Sequence, residues 1–390
     1  MKIVDVCAFY TPHGGGVRTY IERKFAIGAA LGHEIVVIVP GREGRVEVRA
    51  DSGRMIHIAS PAFPLDRRYR YFASAEPVHA LLDNEQPDVV EASSPWRTAS
   101  IVADWRGDAV RSLIMHADPL TAYAYRWFGA FLPREVIDRQ FQWFWKHLRR
   151  ATASFDMVIS ANRQLSTRLS SGGVPNVRTI ALGIEGGFSP AHRDETLRRE
   201  LLIRCGLDAE ASLFIGIGRH APEKRWPMVM DACRMAGMAH PIGLVLIGDG
   251  RDRIKIARYA TQNPHVHLLA PIGDRTTLAR IMASADALIH GCEAETYGLA
   301  AAEAVASGLP VVVPDGGGAA DLAEVGCSEK YAAGNAVSAA MAIDRLLSRD
   351  PAQRREAALH AASEARSMAS HFEELLTAYA LAQNPTRIAA

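Results

Sequence analysis

Short apolar runs alternate with helical stretches along this chain, and they do so in two successive series. Lys2 to Phe9 reads as a buried strand, Val17 to Leu31 as a helix and Glu34 to Val39 as the next strand. Met55 to Ala59, Asp88 to Ala92, Arg111 to Met115 and Asp156 to Ser160 continue the pattern. Strands that are apolar along their whole length, joined by helices, belong to parallel sheets covered on both faces. A second series opens at Ser212 to Ile217 and runs through Gly243 to Ile247, His265 to Ala270, Ala285 to His290 and Leu309 to Pro314. Alanine-rich helical stretches follow, including Ala352 to Met368 and Ser370 to Leu381. Between the two series, Ala181 to Pro190 carries three glycines and a proline and reads as an interdomain connection. The expectation is an α/β protein of two doubly wound, Rossmann-like domains. In such sheets ligands bind beyond the carboxyl ends of the strands, so the cleft between the domains is where to look.

Composition narrows the function. At 390 residues, two domains are the default. The formal net charge of +1 provides no broad basic field for nucleic acid. No apolar run reaches the ~18 residues of a membrane span. The start, Met1-Lys2-Ile3-Val4, enters a strand directly and argues against a secretory leader. The five cysteines, Cys7, Cys205, Cys233, Cys292 and Cys327, stand singly, which favours reduced thiols in a cytoplasmic setting over disulfides. No Asp-x-Asp pair and no His or Cys cluster at ligand spacing stands out, so neither a metal nor another cofactor is expected.

Chemistry-bearing residues fall at strand ends. Glu295-Thr296-Tyr297-Gly298-Leu299 leads into a small-residue helix that contains Glu303 and stops at Gly308 before the Val311-Val312-Val313 strand. First-turn amides of such a helix attract phosphate, and carboxylates suit sugar and ribose hydroxyls, so one element can serve both halves of a nucleotide-sugar. Gly218-Arg219 follows a strand and Lys224 lies five residues on. These cations either neutralise a diphosphate or are solvated surface charges. Gly14-Gly15-Gly16 before the first helix is either an anion-cradling loop or an ordinary strand-to-helix turn, and it lacks the GxGxxG pattern of dinucleotide sites. His116, with Asp118 beside it, also closes a strand; it either meets a sugar hydroxyl or is structural.

Together these stretches resemble family 4 of the retaining, nucleotide-sugar-dependent glycosyltransferases, which adopt the two-domain GT-B fold. The likeness is strongest from Phe214 to Gly318, where Gly218-Arg219, Lys224, Gly248-Asp249-Gly250, Glu295 to Glu303 and Gly308-Leu309-Pro310 follow the family's order. The resemblance implies residues 1–183 as the acceptor-binding domain and 184–370 as the nucleotide-sugar-binding domain. A helix over 371–390 would return to the N-terminal domain. It implies Glu295 on the donor sugar and Glu303 on the ribose. Arg219 and Lys224 would hold the diphosphate with amides of Gly15, Gly16, Gly298 and Leu299, next to Thr296 and Tyr297. His116 would meet the sugar near its reacting end, and backbone at Pro271 and Ile272 would meet the base. Similar enzymes work without a metal. His290 and Cys292 stand where the family more often has proline or serine, and Glu185 where it more often has aspartate.

The partners expected are therefore a UDP- or GDP-linked sugar and a hydroxyl acceptor, with no nucleic acid. Phe63 to Tyr71 and Gln140 to Arg150 interleave cations and aromatics. They read either as a face for an anionic membrane, with a lipid or lipid-linked acceptor at its inner surface, or as a core helix with a charged outer end. A nucleotide-sugar epimerase and a non-catalytic nucleotide-sugar-binding protein are the rival classes. Product analysis and the presence of turnover separate them.

Overall fold

The computed structural model describes all residues except 11–15, 50–52, 65–68, 126–127, 129–130, 324–325 and 384–390. The glycines Gly14 and Gly15, and the Leu65 to Arg68 part of the first cation–aromatic stretch, lie outside the described residues. The chain forms two compact units. The first comprises Met1–Leu120, Trp127–Ala181 and the C-terminal part from Met368; the second comprises Thr121–Arg126 and Leu182–Ser367.

The first unit is built on eight strands: β1 (Lys2–Val6), β2 (Glu34–Gly41), β3 (Arg45–Val48), β4 (Arg54–Ala59), β5 (Val89–Ala92), β6 (Val110–Met115), β7 (Met157–Ser160) and β8 (Val177–Thr179). Their spatial order is β3-β4-β2-β1-β5-β6-β7-β8. Every pairing is parallel except β3 with β4. β3 and β8 are additions to the expected series. β3 escaped notice because its charged, largely exposed Arg-Val-Glu-Val run has no apolar core pattern. β1 also ends at Val6, shorter than the apolar run to Phe9. The chain turns from one side of β1 to the other between β4 and β5, so the order reverses between β1 and β5.

The second unit repeats the scheme with β9 (Ser212–Ile217), β10 (Ile242–Ile247), β11 (Val266–Leu269), β12 (Ala287–Ile289), β13 (Val311–Pro314) and β14 (Glu329–Tyr331). The order β11-β10-β9-β12-β13-β14 is parallel throughout and reverses between β9 and β12. Helices Trp226–Ala236 and Ala336–Leu347 cover one face, burying Trp226, Val229, Met230, Ile343 and Leu346 against Phe214, Leu244 and Leu246. Helix starts follow side-chain chemistry. Asp194, Asp274, Asn335 and Asp350 each accept an amide of the first turn that has no helical partner.

The last helix, Met368–Gln383, is part of the first unit. Its Tyr379 hydroxyl meets Glu91 Oε1 at 2.8 Å and Ser112 Oγ at 3.1 Å. His371 reaches the Ala181 carbonyl at 2.9 Å and the Tyr20 hydroxyl at 3.3 Å. All five cysteines are free and buried. Among the described residues no helix is long and apolar enough to cross a membrane.

Candidate active site

In an open parallel sheet, connections leave neighbouring strands in opposite directions where the strand order reverses, and a crevice opens at their carboxyl ends. In the second unit those neighbours are β9 and β12. β9 leads into Gly218–Trp226, and β12 leads into His290–Gly298. Both connections carry the residues that the sequence singled out.

The two connections are joined by a double ion pair. Lys224 Nζ donates to Glu295 Oε1, 71 residues away. Arg225, next in sequence, donates to Glu293 through two of its guanidinium nitrogens, Nε to Oε2 at 2.9 Å and Nη2 to Oε1. Arg225 holds φ 49°, a left-handed conformation that is uncommon outside glycine. Glycine makes the close approach possible. A Cβ on Gly291 would stand 2.4 Å from the Lys224 carbonyl oxygen, and one on Gly317 (φ +80°) would stand 2.4 Å from that of Glu293. The Gly318 amide then donates to the Glu295 carbonyl at 2.7 Å.

Burial pulls the Lys224 ammonium toward neutrality, but the Glu295 carboxylate outweighs it and holds its pKa above the ordinary lysine value. For Glu295, burial pushes upward; Lys224 and then His290 pull harder, so its pKa falls below the usual carboxylate value. Both partners are therefore charged at neutral pH. Arg219 is placed differently. Its side chain is 77% exposed and reaches Glu223 at 3.3 Å. The structure thus joins Lys224 to Glu295 and leaves Arg219 on the solvent side of the same loop.

Helix Leu299–Ala306 starts after Gly298, whose φ of 89° turns the chain into it, and places Glu303 one turn from its end. Thr296 is half-buried and Tyr297 buried, with burial pushing the Tyr297 hydroxyl up to about 12. Burial also pushes the Glu303 carboxyl up to about 7, against the pull of Arg275 at 3.4 Å. Arg275 further reaches Glu185 at 3.5 Å and lies over the Phe188 ring at 5.0 Å. Exposed Pro271 and half-buried Ile272 belong to the short loop between β11 and the Arg275–Ser284 helix.

In the first unit, Gly16 is the first residue of helix Gly16–Ala30. His116 follows β6, half-buried, with Nε2 3.2 Å from Ser93 Oγ and its ring edge-on to Tyr20. Burial lowers its pKa to about 4, so the ring is neutral near pH 7. Asp118 is buried and ion-paired with Arg168.

One expectation is corrected. His290, Cys292 and Glu295 do converge, with ligand atoms all within 4.8 Å of one another. All three follow the last residue of β12, and the connection after that strand folds them together. A cation is already present there, the Lys224 ammonium on Glu295. Burial raises the Cys292 thiol to about 12, and burial followed by Lys224 lowers His290 to about 4. Sequence reading also missed Arg225, Glu293 and Arg275. The adjacent cations Lys224-Arg225 facing the alternating acids Glu293 and Glu295 were the signal available.

Comparison with known proteins identifies the family. Residues 14–185 match the family profile for glycosyltransferase family 4, and residues 200–365 match that for group 1 glycosyl transferases. A GDP-mannose-dependent α-(1-6)-phosphatidylinositol dimannoside mannosyltransferase of Mycobacterium tuberculosis is 30% identical over 317 residues, covering 80% of this chain and 79% of its own. A GDP-mannose-dependent α-mannosyltransferase from the same species is 28% identical over 341 residues, covering 83% and 81%. Sucrose-phosphate synthase from Thermosynechococcus elongatus superimposes with a TM-score of 0.75 at 18% identity, covering 97% of this chain and 98% of its own. Two parallel-sheet units, charged residues gathered where β9 and β12 diverge, and this kinship lead to one statement: the chain belongs to glycosyltransferase family 4 and is a glycosyltransferase of the GT-B fold.

Proposed function

We propose that this enzyme transfers mannose from GDP-mannose, with retention of anomeric configuration, to a hydroxyl of an inositol-containing lipid or a related lipid-linked glycan. The Lys224–Glu295 pair carries the reading of the chemistry, because it sets a buried ammonium beside a carboxylate at the end of β9 and β12. The names of the relatives supply the donor and the lipid class.

When the bond to the diphosphate breaks, negative charge accumulates on the leaving oxygen. Lys224 and Arg219 neutralise it, aided by the Gly298 and Leu299 amides at the head of the helix and by Gly15 and Gly16 in the first unit. Glu295 accepts hydroxyls of the sugar, Glu303 accepts the ribose hydroxyls, and backbone at Pro271 and Ile272 meets the base. Thr296 and Tyr297 shape the loop between the two carboxylates. His116 contacts the sugar. Glu295 and Glu303 are hydroxyl ligands in this scheme, unlike the acid–nucleophile pair of a hydrolase. The acceptor attacks the face that the diphosphate leaves, and the departing phosphate takes its proton.

Ligand-dependent melting tests the donor. GDP-mannose is expected to raise the melting temperature, by about 2.7 kcal/mol of stabilisation at a concentration a hundred times its Kd. A larger shift from UDP-glucose would overturn the assignment. A titration of affinity against pH adds a sharper check. The carboxylate form of Glu303 accepts both ribose hydroxyls, so GDP-mannose affinity should fall toward tenfold per pH unit below about 7. His116 and His290 titrate near 4, outside that window, and a sugar-diphosphate diester has no proton to gain there. Glu303→Gln should flatten the profile; an unchanged slope removes Glu303 from the ribose. The free protein behaves oppositely. Its Glu303 favours the folded state below the ordinary 4.5, and that contribution is lost as pH rises through about 7.

The lipid acceptor is supported by helix Gln142–Thr152. Phe144, Trp145 and Leu148 face the core, as in the core-helix reading. Trp143, Lys146 and Arg150 are exposed on the other face, and Phe131, ahead of the Arg134–Gln140 helix, is 85% exposed. Aromatic rings flanked by cations fit an anionic bilayer surface. Vesicles with anionic lipid should retain the enzyme at low salt, and Trp143→Ala with Lys146→Glu should release it. Equal retention of that variant would sink the membrane reading.

A further inference from the structure

The connection after β12 gathers an imidazole, a thiol and a carboxylate, with the ligand atoms of His290, Cys292 and Glu295 all within 4.8 Å of one another. His290 is 1% exposed, and its Nε2 is buried without a hydrogen-bond partner. That nitrogen stands 3.7 Å from Glu295 Oε1, too far for a hydrogen bond. A buried polar atom left in this way calls for a ligand that can meet it. Burial, and then Lys224, keep the ring neutral at pH 7, so one of its nitrogens carries a lone pair.

Zinc bonds of ~2.0–2.3 Å place the corners of its tetrahedron roughly 3.5 Å apart. The separation of His290 and Glu295 already matches, and a small closing of the loop brings in Cys292. Nitrogen, sulfur and carboxylate oxygen together select zinc over the hard cations calcium and magnesium. Lys224 is the competitor, since its ammonium donates to the same Oε1. A divalent ion attracts that carboxylate more strongly and repels the ammonium. Glu295, 27% exposed, is the way in. On binding, the Cys292 thiol gives its proton to water and its sulfur bonds the metal as thiolate. Zinc, thiolate, carboxylate and neutral imidazole then sum to no net charge. We propose that His290, Cys292 and Glu295 form a zinc site whose filling expels the Lys224 ammonium and arrests sugar transfer. The arrest rests on the roles given above to Lys224 and Glu295; the site itself does not.

The test titrates the full-length enzyme with cobalt(II), which reports spectroscopically on a site that zinc would fill silently. The wild type is expected to develop a thiolate-to-cobalt charge-transfer band in the near ultraviolet, saturating at one equivalent and abolished by zinc. Cys292→Ser, which nearly keeps the shape of the side chain, should lose the band, and His290→Asn should weaken binding more than about tenfold. Cys233→Ser, in the core beneath helix Trp226–Ala236, should keep it. Zinc should stop transfer by the wild type and EDTA should restore it. Cys292→Ser should transfer normally and need more than about tenfold more zinc to stop. A wild type with no thiolate band, or a band that survives in Cys292→Ser, would overturn the site. His290→Asn decides the matter if Cys292→Ser does not fold: undiminished cobalt binding there also overturns it. If the band behaves as expected while zinc leaves transfer untouched, the site stands, and Lys224 and Glu295 lose their places on the donor.

Discussion

Lys224→Ala is expected to slow sugar transfer about 10²–10³-fold, the usual cost of removing one donor aimed at developing charge. Adding Arg219→Ala should bring transfer to background. The argument rests on where the ammonium sits: its side chain is 13% exposed, and the Glu295 carboxylate keeps it protonated through the neutral range. A cation shielded from water exerts far more field on a departing diphosphate than one in solvent. Arg219, mostly exposed, should cost less when removed alone. A loss of stability has to be separated from a loss of chemistry, because removing Lys224 takes the ammonium away from the half-buried Glu295 carboxylate. Lys224→Met with Glu295→Gln restores neutrality; it should regain stability in urea unfolding without regaining turnover. Turnover of Lys224→Ala within a few-fold of wild type would refute the role of this cation.

The largest effect on stability is expected at Lys24. Asp5 and Glu91 on adjacent strands repel one another, and both are removed from water. Burial and then Asp5 raise the Glu91 pKa against the pull of Lys24. Burial lowers the Lys24 pKa, but the two carboxylates raise it further, so the ammonium persists. Lys24→Met leaves two buried carboxyls with no cation and should destabilise the protein by about 3–5 kcal/mol. Chemical denaturation should show it as a lower midpoint for the transition containing the first unit. Asp5→Asn and Glu91→Gln introduced together with Lys24→Met should recover much of the loss. An unchanged midpoint in Lys24→Met would mean that this triad contributes nothing net to folding.

Several features were legible without coordinates. The continuous apolar runs of β1, β2, β9 and β10 belong to strands buried on both faces, and these strands are buried along almost their whole length. The Glu295-to-Glu303 stretch was recognisable because a helix start, a carboxylate and a following strand are all local. The Gln140–Arg150 stretch was less so: its aromatic residues divide between core and surface, and composition does not say which ring turns inward. β3 was invisible since an exposed edge strand needs no apolar alternation. Arg225 and Glu293 were missed for a different reason. Each is an ordinary charged residue in its own loop, and only their meeting gives either one a role.

Sequence alone determined the alternation of strand and helix, the two-series organisation and the placement of charged residues at strand ends, because hydrophobic period and capping act over a few residues. Tertiary structure alone decided that Lys224 meets Glu295, that Arg219 turns to Glu223, that Lys24 bridges Asp5 and Glu91, and that His290 and Cys292 close on the same carboxylate. Lys224 and Glu295 lie in separate connections, and Asp5 and Glu91 on different strands, so the order and register of the sheet bring them within reach. Arg219 with Glu223, and His290 and Cys292 with Glu295, meet through the folding of one connection each. The charge each one then holds depends on how much water that packing removes.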